Sequence, residues 1–246
     1  MQTLLLPDSA PSDLTVWRLD LTAVSPADWR TLTPAEAARA WRYRLDADRV
    51  RYVGARAGLR RILSARLGMA PGLVPVSAGR HGKPALAPPY GERLHFNLSH
   101  AGAYALVALS ERREVGVDVE CGHEGLRVEE LAPLALVAGA EPLAWRDLDG
   151  SAGFLRRWTG KEAALKAWGV GVAQHLLAVQ VHPGVRQAEI VVRAPCADWP
   201  ACAACELAMP AGYAAALAWL PAADESAHRI AAPAGGWAEH LQGHRS

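Results

Sequence analysis

The chain has only four cysteines in 246 residues, Cys121, Cys196, Cys202 and Cys205, too few and too unevenly placed for a disulfide framework. That excludes a stapled secreted scaffold and points to a reducing compartment, the cytoplasm. Cys202 and Cys205 form a Cys-x-x-Cys, but no second pair or well-spaced histidine completes a zinc site. Charge of one sign is also lacking: 26 basic side chains stand against 25 acidic ones, so no global field holds nucleic acid. No apolar run reaches the length that spans a bilayer, which argues against a membrane protein. Residues Met1 to Leu14 carry Asp8 and Asp13 without a basic leader, so no signal peptide is expected. Neither a Walker loop nor a GxGxxG fingerprint occurs, which argues against an ordinary nucleotide kinase or dehydrogenase.

What is present reads as alternating strands and helices. Val16 to Leu21 predicts a strand. Thr33-Pro34-Ala35-Glu36 supplies a cap, a proline at the first helical position and a capping-box acid, predicting a helix to about Arg44. A second helix starts near Asp46 and ends at Gly68. Met69 to Gly91 is Pro- and Gly-rich and reads as loop. Leu94–Leu98, Tyr104–Leu109 and Val115–Glu120 read as a three-stranded meander. Helices follow near Val128–Val137, Pro142–Leu148 and Gly153–Trp168, and strands near Ala178–Val181, Glu189–Val192 and Tyr213–Leu220, with Cys205 starting a further strand. A faint repeat of helix followed by strands places a boundary near Arg113. The expected division is an N-terminal lobe of 1–113, a C-terminal lobe of 114–221 and a flexible tail of 222–246.

Three carboxylates stand where hydrocarbon is expected. In Val115-Gly116-Val117-Asp118-Val119-Glu120 the valines alternate, so Asp118 and Glu120 share the opposite face, roughly 6.5 Å apart along the strand. In the later helix, Leu155, Trp158, Leu165 and Trp168 mark an apolar stripe that Glu162 interrupts. Inward acids need either a raised pKa or a bound cation. The trio is read as a cage for Mg²⁺.

Phe96-Asn97-Leu98-Ser99-His100 closes a strand with three polar side chains. Two readings stand: a turn in which Asn and Ser bond their own backbone, or donors aimed at an anion. Arg39, Arg42, Arg44, Arg49, Arg51, Arg56, Arg60, Arg61 and Arg66 crowd two helices and by themselves read as a solvated face. Together with the acids, Lys83, Lys161, Lys166, Ser99 and His100, they describe a site for a polyphosphate held through a divalent cation.

Gly82-Lys83-Pro84, Phe96-Asn97-Leu98-Ser99-His100, Val115-Gly116-Val117-Asp118-Val119-Glu120 and Trp158-Thr159-Gly160-Lys161-Glu162-Ala163-Ala164-Leu165-Lys166 follow the order and spacing of the surfactin-synthetase-type phosphopantetheinyl transferases, which the chain resembles from about Thr31 to Leu220. The resemblance implies an α+β fold of two similar lobes in pseudo-twofold arrangement, each with helices on a small, mainly antiparallel sheet. It implies Mg²⁺-dependent transfer of 4'-phosphopantetheine from coenzyme A to a serine of an acyl or peptidyl carrier protein, by a monomer. Carried over by position, Asp118, Glu120 and Glu162 hold the metal and Lys166 reaches a phosphate oxygen, while Lys161 points elsewhere. Asp118, Glu162 and Lys166 form the catalytic group, with Glu162 as general base, metal ligand or both. Ser99 and His100 meet the nucleotide phosphates, Lys83 the nucleotide end, and Arg39 and Arg51 the 3'-phosphate.

The chain departs from the family pattern at Val137-Ala138-Gly139-Ala140-Glu141, which leaves Glu141 either catalytic or merely solvated. Val170 to Leu177 reads either as a carrier-docking surface or as interior packing. Rival functions are an Mg²⁺-dependent phosphohydrolase and a non-catalytic module binding coenzyme A or a carrier.

Overall fold

The computed structural model describes residues 1–79, 83–122, 128–135, 150–186, 188–196 and 198–225. The expected helix at Pro142–Leu148, Glu141, Gly82 and the tail beyond residue 225 lie outside the described residues. The elements run in the order β1 (Gln2–Thr3), β2 (Thr15–Asp20), α1 (Pro26–Trp29), α2 (Pro34–Ala40), α3 (Asp46–Leu67), β3 (Val76–Ala78), β4 (Pro84–Leu86), β5 (His95–Ala101), β6 (Tyr104–Ser110), β7 (Val115–Cys121), α4 (Val128–Ala135), α5 (Gly150–Trp168), α6 (Val172–His175), β8 (Gln180–Pro183), β9 (Glu189–Arg193), β10 (Ala203–Glu206) and β11 (Tyr213–Trp219).

The fold is α+β, built on two antiparallel sheets in the orders β1-β2-β6-β5 and β7-β11-β10-β9-β8, with β3-β4 as a separate hairpin. The expected meander is therefore wrong. β5 and β6 pair, but β7 leaves them to pair with β11 along its whole length.

Side-chain alternation explains the layering. On β6, Ala105, Val107 and Leu109 pack with Leu59, Ile62 and Leu63 of α3, while Leu106 and Ala108 join Val115, Val117, Val119, Ala215 and Leu217 between the sheets. A strand apolar on both faces is the centre of a layered stack. On the far side, α5 covers the second sheet through Ala163, Ala164, Leu165 and Ala167. The α5-facing positions are Gly116, Asp118 and Glu120 on β7, opposite Ala218, Ala216 and Ala214 on β11. Small residues here let the helix approach closely. A Cβ on Gly116 would stand 2.0 Å from the Ala163 carbonyl oxygen and 2.4 Å from the Ala167 nitrogen.

Several sequence expectations shift. The capping box at Thr33 forms, with Glu36 accepting from the Thr33 backbone, yet α2 stops at Ala40 rather than Arg44. There Trp41 turns to stack on Trp29 and Tyr43 turns towards Tyr52. α3 ends as expected, with Gly68 left-handed at φ 65°. The β3–β4 hairpin occupies the stretch read as loop. Pro84 at its first strand position is compatible with an edge strand, although proline argues against strand in sequence reasoning. Cys205 lies within β10 rather than starting it.

Arg60 overturns its reading as a solvated arginine. It is 2% exposed, donates to Glu36 through Nε, and reaches the carbonyls of Pro71 and Val74; Arg56 holds the other Glu36 oxygen at 2.8 Å. Arg113, 4% exposed, is shared by Asp13 and Glu225, while the neighbouring Arg112 meets Asp224. No helix among the described residues is long and apolar enough to cross a membrane.

The two glycines facing and within α5 have opposite expected responses to alanine. Gly116→Ala forces the helix off the strand and costs about 3 kcal/mol. Gly160 sits mid-helix with Ile190 and Val181 no nearer than 3.5 Å to an added Cβ, so Gly160→Ala stabilises by about 1 kcal/mol, roughly 2–4 °C in Tm. Calorimetric melts of both variants check this, and a Gly116→Ala protein as stable as the parent refutes the close-approach argument.

Candidate active site

The two sheets meet at a seam between β5 and β7 that is bonded by side chains. Asn97 Oδ1 accepts from the Val117 backbone N–H at 2.9 Å, and Ser99 Oγ donates to Asp118 Oδ1 at 2.8 Å. Neither residue bonds its own turn, so that reading of the strand end fails. Ser99 is buried and its hydroxyl is directed to Asp118.

Asp118 is 1% exposed. Its Oδ1 receives Ser99 and the Lys166 ammonium at 2.5 Å, and Lys166 also lies 3.1 Å from Glu162 and 3.4 Å from Ser99 Oγ. Glu162 and Lys166 share a face because four residues make about one helical turn. Burial by itself would lower the Lys166 pKa; Asp118 and Glu162 outweigh that and hold it above the ordinary lysine value. Burial, then the charge on Asp118, raises the Glu162 pKa. For Glu120, burial first and then the charges on Asp118 and Glu162 push the carboxyl up to about 7. A hydrogen bond from the Trp158 indole opposes both rises.

Asp118 Oδ2 is buried and has no hydrogen-bond partner among the described residues. A carboxylate oxygen enclosed without a donor is costly unless a cation meets it. Three carboxylates are also the donor chemistry that a hard divalent ion takes. The donor chemistry of the trio thus suits a cation. Among the described residues, however, no three acidic, histidine or cysteine side chains are drawn together tightly enough to hold one. The Lys166 ammonium bridges Asp118 and Glu162 instead.

His100 follows Ser99 at the strand end. Its surroundings, then the charges of Lys166 and Arg51, hold its pKa below the usual imidazole value. It lines a cavity of about 480 Å³ together with Arg39, Arg42, Tyr43, Tyr52, Arg56, Ser77 and Pro84. Arg39 lies over the Tyr52 ring at 5.4 Å. Arg51, near His100 but paired to Asp48 at 2.7 Å, does not line that cavity. Lys83 does not line it either: its ammonium turns to the Lys166 carbonyl at 2.8 Å, the Val115 carbonyl at 3.3 Å and Glu114. Lys161 is fully buried. A larger cavity of about 620 Å³, against Leu5–Ser9 and Arg186, carries Asp8 and Glu206 and has the wrong charge for a polyphosphate.

Sequence reasoning missed Asn97 as the seam bond and Tyr43, Tyr52 and Arg56 as cavity walls. The helical spacing of Tyr52 and Arg56, four apart on α3, was the available signal. In Val170–Leu177, Leu176 is buried and Val170 and Val172 rest on the core, while Ala173, Gln174 and Leu177 are exposed.

An α+β chain with inward acids and a lysine at a seam, next to an arginine-lined cavity, has the chemistry of a protein that handles a polyphosphate with a divalent ion. Comparison with known families narrows that class. A model of the 4'-phosphopantetheinyl transferase superfamily matches residues 114–218, and a model of the N-terminal part of 4'-phosphopantetheinyl transferases matches residues 23–112. The chain belongs to the 4'-phosphopantetheinyl transferase superfamily. It is 37% identical over 147 residues to the 4'-phosphopantetheinyl transferase HetI of Nostoc sp., covering 58% of this chain and 62% of that protein. It is 39% identical over 103 residues to the 4'-phosphopantetheinyl transferase AcpT of Salmonella typhimurium, covering 41% and 52%. With the L-aminoadipate-semialdehyde dehydrogenase-phosphopantetheinyl transferase of Pongo abelii it shares 27% over 172 residues, covering 62% and 54%. The matches span about half to three fifths of these relatives' lengths.

The raised Glu120 pKa sets a pH dependence. The folded protein keeps a proton that the unfolded chain has lost, so stability falls as pH rises from 4.5 through about 7 and stays lower above. In EDTA, Glu120→Gln is expected to raise Tm at pH 8 by about 3 °C or more and to leave it unchanged at pH 5. Equal shifts at both pH values would show that Glu120 does not titrate in this window.

Proposed function

We propose that this protein transfers 4'-phosphopantetheine from coenzyme A to a serine hydroxyl of an apo acyl or peptidyl carrier protein, releasing adenosine 3',5'-bisphosphate. The observation that carries the reading is the enclosed, partnerless Asp118 Oδ2 beside Lys166, Glu162 and Glu120, at the seam next to the arginine-lined cavity.

The basic cavity takes the nucleotide end, with Arg39, Arg42 and His100 towards its phosphates and Tyr43 and Tyr52 offering ring faces. Lys166 lies towards the diphosphate, where its charge offsets the negative charge that builds on the phosphoryl oxygens. Asp118, Glu120 and Glu162 would hold Mg²⁺, whose contribution is to screen the diphosphate and polarise the phosphorus under attack. The carrier serine oxygen bonds to the phosphorus bearing the pantetheine arm, and the bond from that phosphorus to the bridging oxygen breaks. The electron pair leaves on adenosine 3',5'-bisphosphate. Glu162, its pKa raised by burial and Asp118, is placed to receive the serine proton. Ser99 holds Asp118 in place rather than meeting the nucleotide. Both lobes, 1–113 and 114–221, supply the site from one chain, so a cytoplasmic monomer suffices.

Incubation with coenzyme A, Mg²⁺ and an apo carrier, followed by mass spectrometry of the carrier, tests the reading. The carrier gains one phosphopantetheine unit, and EDTA or Asp118→Ala abolishes the gain. Arg39→Ala raises the KM for coenzyme A by about tenfold with little change in kcat, the mark of a lost ground-state contact. Release of phosphate or pantetheine phosphate with the carrier unchanged would make the protein a hydrolase instead.

A further inference from the structure

The β3–β4 hairpin separates two cavities. Val76, Ser77 and Pro84 wall the arginine-lined one; Lys83, Pro84 and Leu86 wall another of about 300 Å³, against Trp168 and Gly169. The Lys83 side chain, 20% exposed, crosses from this hairpin to the other lobe. Its acceptors are the Lys166 carbonyl at 2.8 Å, the Val115 carbonyl at 3.3 Å and Glu114 Oε2 at 3.3 Å. An ammonium has three donors, and these acceptors account for all of them. Glu114 is fixed in turn by His95 Nδ1 at 2.9 Å, and that bond, with the Lys83 charge, holds its pKa below the usual carboxylate value against the effect of burial. The Lys166 carbonyl belongs to the last turn of α5, where it also accepts from the Gly169 N–H at 3.2 Å and where a positive charge suits the helix dipole.

We propose that Lys83 is a positioning residue: by gripping the backbone of Lys166 it fixes the final turn of α5, and so the reach of the Lys166 ammonium to Asp118 and Glu162. The proposal rests on the coenzyme A reading above. It reverses the role that family resemblance gives Lys83, which is contact with the nucleotide end. Because the hairpin that carries Lys83 also walls the nucleotide cavity, a nucleotide seated against Ser77 and Pro84 braces the same segment that holds Lys166. The two roles differ in kinetic signature. A nucleotide contact present before and during reaction acts on KM, whereas misplacement of Lys166 acts on kcat.

The full chain, Lys83→Met and Lys83→Gln are to be compared by steady-state transfer to an apo carrier with Mg²⁺ and coenzyme A. Calorimetry with adenosine 3',5'-bisphosphate gives Kd and the fraction of binding-competent sites, by which kcat is normalised so that partial unfolding does not count. Expected for Lys83→Met is a loss of about tenfold or more in normalised kcat, with Kd and the KM for coenzyme A within about twofold of the parent. Lys83→Gln, which keeps an N–H for the Lys166 carbonyl, is expected to fall between the two; should the Met variant not fold, its drop in kcat at unchanged Kd decides alone. A tenfold weaker Kd, or an unchanged normalised kcat, overturns the proposal. No transfer by the unaltered chain would instead sink the coenzyme A reading, and this inference with it.

Discussion

Asp118 is enclosed between two sheets and a helix, and an enclosed carboxylate is costly unless opposite charge or donors reach it. Ser99 from β5 and Lys166 from α5 meet one of its oxygens. The arrangement depends on backbone proximity: Gly116 on β7 and the alanines of β11 and α5 let the helix lie against the strand, which puts Lys166 and Glu162 over Asp118. Bulkier side chains at those places would separate the charges. The site is thus a product of the packing beneath it, and the ammonium supplies positive charge to Asp118 and Glu162.

Much of this was legible because local periodicity and site chemistry coincide. The Val115–Glu120 alternation identified both the buried face and the acidic one, and the i,i+4 spacing of Glu162 and Lys166 placed them together. α3 was readable end to end from its apolar pattern and Gly68. What escaped depends on partners distant in sequence. Nothing near Val115 tells that β7 pairs with β11, almost a hundred residues later, rather than with β6. Asn97 looked like a turn residue because its acceptor is used across the seam between the sheets, on Val117. The β3–β4 hairpin carries too few residues, one of them proline, for a strand signal.

The arginines of α2 and α3 show how composition misleads. As a group they read as a wet surface. In the fold they divide: Arg60 is a core residue whose charge Glu36 neutralises, Arg56 serves Glu36 while lining the cavity, and Arg39 lies over a tyrosine ring at its wall. Identical side chains take different parts according to their angle on the helix. Glu36 lines the cavity too, and because Arg56 and Arg60 hold it, Arg39 and Arg42 are left to make the cavity basic.

Arg113 joins segments that sequence places far apart. Its guanidinium, almost closed off from water, is divided between Asp13, ahead of β2, and Glu225, after β11. Removing either carboxylate would leave the remaining one to neutralise the cation alone, at a point where solvent offers little help. Asp13, Arg113 and Glu225 therefore form a single electrostatic knot, and loss of the Glu225 carboxylate would be felt beside the strand that begins with Thr15.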